Sequence, residues 1–142
     1  MLLPLVLAAT VAAAAPVPSD GAFAGVTSEV LGVTFNVTGG GQRVSDLHFV
    51  NQCFAGRSAG IGVPASIPVR TTYRPKRRKG SRHRPKPRPL KQPTFSYTGA
   101  GFTVRARFTS PSHAEGTLRW VSPGGCDTGT LGFGADVIVQ PG

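Results

Sequence analysis

The sequence predicts an all-β domain, a small antiparallel β-sandwich or a partly open barrel. Three observations carry this expectation. Apolar and polar residues alternate with a period of two in several short runs. Clusters of Gly and Pro separate those runs. Beyond the first residues, no window of ten or more shows the 3.6-residue spacing of an amphipathic helix.

The elements follow in order along the chain. "MLLPLVLAATVAAA" reads as a signal peptide over residues 1–14. Leu2 to Val11 are apolar and uncharged, and Ala12 and Ala14 suit the −3 and −1 positions of a signal peptidase. The apolar run falls short of the roughly 20 residues that span a bilayer. Residues 15–21 are expected to be a mobile N-terminal segment, and residues 22–142 a single β-domain. Within it, Val33, Phe35 and Val37 alternate with Thr34, Asn36 and Thr38, the pattern of a strand with one buried face. Gly39-Gly40-Gly41 makes a turn, and Val44, Leu47 and Phe49 mark a second strand. Phe102, Val104, Ala106 and Phe108 alternate with Thr103, Arg105, Arg107 and Thr109 in the cleanest strand of the chain. "SPSHAEG" (Ser110 to Gly116) reads as a turn, followed by a strand with Leu118 and Trp120 on one face. "SPGGCDTG" is another turn, and Leu131, Phe133, Val137 and Val139 lie along a last strand. Eight Phe residues and Trp120 are enough for one core.

Two cysteines, Cys53 and Cys126, allow one internal disulfide. An exported chain matures where disulfides persist, so the bridge is expected. Closing so long a loop restricts the unfolded chain by about 4 kcal/mol in the entropy picture.

The formal net charge of +10 is unevenly placed. Arg70, Arg74, Lys76, Arg77, Arg78, Lys79, Arg82, Arg84, Lys86, Arg88 and Lys91 are eleven of the 16 basic residues, with no acid among them. The remainder sets Arg43, Arg57, Arg105, Arg107 and Arg119 against Asp20, Glu29, Asp46, Glu115, Asp127 and Asp136, and is nearly neutral. Residues 70–93 also hold Pro75, Pro85, Pro87, Pro89 and Pro93, and only Tyr73 and Leu90 are sizeable apolar residues. Such a segment buries too little apolar area to offset its ordering entropy, and its like charges repel. It is expected to be a disordered insert, with "RPKPRP" favouring extended polyproline II conformation.

Outside the insert, "FAGVTSE", "GVTFNV", "RVSDLHF", "FTVRARFTSPSHAEGTLR" and "GCDTGTLGFGA" resemble a family of small, exported, functionally uncharacterised bacterial all-β proteins. The motif residues are Phe108, Ala114, Gly116, Thr117, Leu118, Cys126, Thr128, Gly129 and Phe133. His113-Ala114-Glu115 in the hairpin and Phe133, where Trp is more usual, depart from the pattern. The resemblance implies an all-β fold and export, and no particular activity.

Catalytic and metal chemistry find no signature. A nucleophile needs a base and an orienting group, yet His48, His83 and His113 stand in no such pattern, and Gly-x-Ser-x-Gly is absent. Asp127 reads as a turn residue after Cys126. No Cys/His pair has zinc-ligand spacing. Glycine-rich stretches do not open helices, so they are turns rather than phosphate cradles. Asn36 begins an Asn-Val-Thr glycosylation sequon inside a strand. No enzyme activity, cofactor or metal is therefore expected.

The basic insert points to polyanions: anionic cell-wall or extracellular polymers, lipid headgroups or nucleic acid. With no aromatic residue beyond Tyr73 to stack on bases, nucleic-acid binding would be blind to sequence. Five to eight engaged charges would then give a log–log salt slope of roughly −4.5 to −7 on duplex DNA. At an anionic membrane each basic residue contributes about 1 kcal/mol of attraction. Export favours envelope polymers, and the expected function is a non-enzymatic module that holds them. The alternative places function in the β-body, as a small-ligand or protein-binding domain or a structural envelope protein. The insert is then idle, since loop closure grows only logarithmically with length. Arg105, Arg107 and Arg119 are expected on one face of neighbouring strands, as a small cationic patch or as solvated side chains.

Overall fold

The computed structural model describes residues 17–54, 57–72 and 92–138. They form ten strands: β1 (Gly21–Thr27), β2 (Gly32–Thr38), β3 (Arg43–Phe54), β4 (Arg57–Gly62), β5 (Ile67–Pro68), β6 (Arg70–Thr72), β7 (Gln92–Gly99), β8 (Phe102–Ser110), β9 (His113–Trp120) and β10 (Leu131–Val137). All pair antiparallel in one continuous sheet of order β4-β3-β2-β1-β10-β9-β8-β7-β6, and β5 pairs with β3. The fold is all-β, and the sheet is not closed into a barrel.

Instead the sheet folds over on a single core. Phe23 and Phe35 on β1 and β2 meet Phe108 and Phe95 on β8 and β7, with ring centroids 5.7 and 5.6 Å apart. Phe49 on β3 meets Phe102 on β8, which in turn stacks on Trp120 at 5.9 Å. The Phe23–Phe108, Phe35–Phe95 and Phe49–Phe102 contacts join strands that are not neighbours in sheet order. Each such side chain contributes about 1.5–3 kcal/mol by leaving water, and favourable aromatic pairs add about 0.5–1.5 kcal/mol. Two glycines allow close approach of neighbouring strands. A Cβ at Gly25 would lie 1.8 Å from the Gly134 carbonyl oxygen, and one at Gly116 would lie 2.1 Å from the Arg105 carbonyl oxygen. Only glycine admits strands so close. Gly116 is thus a close-approach residue between β8 and β9, which gives the "AEGTL" hairpin motif a structural meaning.

The alternating runs occupy the strands expected of them. In β8 the residues from Phe102 to Thr109 alternate buried and exposed without a break. The change of parity between Val44 and Leu47 has a cause. Asp46 takes φ 53°, and the β2–β3 register shifts between Thr34 and Asn36, so a bulge turns Leu47 back to the core.

Three expectations need correction. The turn after β8 is only Pro111-Ser112, and β9 starts at His113, because Ala114 packs into the core opposite Phe108. The insert is narrower than residues 70–93: Arg70–Thr72 pair with Gln92–Thr94, and Pro93 is buried beneath that pairing. Residues 17–21 are anchored rather than mobile. Pro18 is buried against Gly41, Ser19 N–H donates to the Pro111 carbonyl at 2.9 Å, and Asp20 accepts the Gly40 and Gly41 amides. The leader, Val139 and ten of the eleven insert cations, from Arg74 to Lys91, lie outside the described residues.

Cys53 and Cys126 form the expected disulfide across a separation of 73 residues, fastening the end of β3 to the β9–β10 connection. Reduction, or Cys53→Ser with Cys126→Ser, is expected to lower the unfolding free energy by about 2–5 kcal/mol in urea titrations. Gly116→Ala is expected to destabilise the domain by about 1–3 kcal/mol through the clash with the β8 backbone at Arg105 and Ala106, read by the same titration.

Candidate functional site

The site grows from the register of four strands. Arg70 on β6 stands opposite Thr94 on β7, Thr94 opposite Arg107 on β8, and Arg107 opposite Glu115 on β9. Residues directly opposite in adjacent strands share a face, so these four make one row on the outer surface. A second row runs Ser96, Arg105, Thr117, Gly132, and a third holds Thr98, Thr103 and Arg119. The alternation of β8 therefore places Arg105, Arg107 and Arg119 on a single face, beside the strands between which the basic insert is spliced.

Their charges are not equivalent. Arg107 donates to Glu115 at 2.9 Å. Arg119 donates through two nitrogens to Asp127. Arg105, exposed between them, pairs with no carboxylate among the described residues, and neither does Arg70 at the root of the insert. The expected three-arginine patch is therefore two ion pairs flanking one uncompensated guanidinium. Exposed pairs of this kind contribute little to stability, but they set where free positive charge remains.

An open depression of about 530 Å³ lies between the first two rows, lined by Thr94, Arg105, Arg107, Glu115, Gly116 and Gly132 among others. Its floor is backbone, because Gly132 on the second row brings no side chain to it. Glu115 is held below the usual carboxylate range, chiefly by the hydrogen bond from Arg107. It therefore stays ionised and remains an acceptor in the depression.

The other singled-out groups are dispersed. His48 Nδ1 lies 3.0 Å from the Asp46 carbonyl oxygen. His113 Nδ1 lies 2.8 Å from Asp136 and its Nε2 3.7 Å from Glu115. His83 is outside the described residues. Asp127 is a turn residue as expected. It accepts Arg119 and the Gly129 amide at 2.8 Å, while Ser122 Oγ accepts the Cys126 amide and Thr128 Oγ1 accepts the Trp120 amide. These bonds present Cys126 to Cys53. Among the described residues no group of three or more His, Cys, Asp or Glu is placed to hold a metal ion, and no helix is long and apolar enough to cross a membrane. Asn36, the sequon residue, donates its side-chain amide to Asp46 at 3.3 Å.

Sequence reasoning found the three arginines through the alternation of their strands but missed Glu115, Thr94 and Asp127 as their neighbours. The β8–β9 register was the missing piece, and the apolar Ala114 inside "SPSHAEG" was the available signal for it. No protein-family model, curated protein or solved structure matches the chain.

The Arg119 bond first, then the Gly129 amide, depress the Asp127 carboxyl to about 2. A depressed folded-state value means that the pair's contribution is complete above the ordinary carboxylate range and fades as pH falls toward 2. In an NMR titration Asp127 is expected to show a midpoint of about 2. In Arg119→Gln the midpoint should rise but stay below the model-peptide 3.8, because the Gly129 amide remains.

Proposed function

We propose that this protein is an exported, non-enzymatic binding module that holds anionic cell-envelope or extracellular polymers through its basic insert. The observation that carries the reading is the splice point. A segment with ten cations and no acid joins the edge strand β6, which carries the eleventh cation Arg70, to its neighbour β7, in a body that is otherwise nearly neutral. Its root residue Arg70 shares an outer row with Arg107 and a face with the uncompensated Arg105. The uncompensated Arg70 and Arg105 thus share the face at whose edge the insert leaves and re-enters the body, and free positive charge on one face supports attraction of a polyanion to it. The disulfide is compatible with an extracellular protein, in line with the leader-like first residues.

A second reading, that the β-body itself takes a ligand, is favoured by the depression between Arg105 and Glu115. The two readings separate by deletion. Thr72 and Gln92 pair directly, so replacing residues 73–91 with an Asn-Gly turn closes a tight hairpin. The shortened protein is expected to keep its disulfide, its urea midpoint and its β-sheet circular dichroism. It is also expected to lose retention on a sulfated polymer column at low salt. Equal retention of the two forms would overturn the role given to the insert.

A further inference from the structure

We infer that the depression on the outer face of β7–β10 is a subsite for one acidic sugar residue of a polysaccharide, with Arg105 receiving its carboxylate. This inference rests on the polymer-binding reading above and names the polymer class. Three features of the depression carry it together.

The first is the uncompensated guanidinium. Arg105 stands exposed on one wall and pairs with no acid among the described residues, while Arg107 and Arg119 on either side are already paired. A planar carboxylate matches a guanidinium through two parallel hydrogen bonds. The second is Glu115 on the opposite wall. It is ionised and takes only one Arg107 nitrogen at hydrogen-bond distance, through Oε1. A carboxylate is an acceptor with room for several hydrogen bonds, so the ligand facing it must donate. Sugar hydroxyls donate, whereas a phosphodiester or polyphosphate chain has no donor there and is repelled. The third is the floor. Gly132 on the outer row leaves it without a side chain, Gly116 lends only backbone, and Phe133 beneath is buried in the core. A flat floor rimmed by Thr94, Arg107 and Glu115 suits a sugar ring, with its C–H face down and hydroxyls at the edge. It offers no exposed aromatic ring on which a base would stack.

The carboxylate in the depression thus decides between polyanions that the basic insert alone does not distinguish. A phosphate polymer meets Arg105 and Glu115 as attraction and repulsion in the same space. A uronic-acid polymer meets both as attraction.

The test uses the protein carrying the Asn-Gly turn in place of residues 73–91, so that the insert contributes nothing. Oligogalacturonate, a neutral oligosaccharide of equal length and a polyphosphate of equal charge are titrated at low salt and followed by amide NMR. Oligogalacturonate is expected to shift Arg105, Thr117, Gly132 and Glu115 and to bind at least tenfold more tightly than either control. Arg105→Gln is expected to weaken it about tenfold, the effect of losing one hydrogen-bonded charge; the residue is exposed, and an unchanged amide spectrum elsewhere shows the variant folded. Polyphosphate binding as tight as oligogalacturonate, shifts centred elsewhere, or indifference to Arg105→Gln would each overturn the subsite. Insert-dependent retention of the full chain with no shift in the shortened protein overturns the subsite alone. Oligogalacturonate binding in the shortened protein with insert-independent retention overturns the role of the insert alone.

Discussion

The contact that everything else depends on is the meeting of Phe23 and Phe35 with Phe95 and Phe108 across the folded sheet. Phe23 and Phe35 also stack on each other at 5.0 Å, and Phe95 and Phe108 lie 5.6 Å apart. A ten-stranded open sheet has no reason to bend sharply unless one face gains more by meeting itself than by meeting water. The four rings supply that gain, and Gly25 and Gly116 let neighbouring strands approach closely. Once the sheet is folded, its outer face is solvated, and the charged side chains of β8 and β9 are sent there. The site is thus a by-product of core formation: the alternation that buries Phe102, Val104, Ala106 and Phe108 is the same alternation that exposes Arg105 and Arg107.

How far this was legible in the sequence depended on how much inward side chain each strand carries. In β8 every inward position is apolar, and the strand can be read without structure. In β1 the inward positions are Phe23, Gly25 and Thr27, while Val26 faces solvent, so the apolar signal is inverted over half its length. Gly25 sits inside because the neighbouring strand is too close for anything larger, a tertiary cause with no local trace. The start of β9 was hidden in the same way by a Ser-Pro-Ser sequence that suits a turn and a buried residue no larger than Ala114. The charge partners of the arginines depend on register between strands, and register is not written in either strand alone. Hence the three arginines were legible and their unequal neutralisation was not.

The electrostatics of the outer face divide the work between two kinds of cation. Arg107 and Arg119 are committed to carboxylates one strand or one turn away. Arg105 and Arg70 are not. A body with as many acids as bases can therefore still show a local excess, because the acids are spent in pairs and in caps such as Asp20 on the β2–β3 turn. Summing the charge of the body hides this, and only the placement of each partner shows where attraction for an anion survives.

The position of the disulfide has a consequence for the chain's covalent history. Cys53 precedes the basic segment and Cys126 follows it, so the bridge straddles every peptide bond between Thr72 and Gln92. That segment is dense in the Lys and Arg residues at which trypsin-like proteases cut. Scission there would convert one chain into two without releasing either, since the fragments stay joined through sulfur and through the strands on both sides of the cut. The molecule is in this sense wired to outlive the breaking of its own backbone at its most basic segment, and its mass on a reducing gel would differ from its mass in solution.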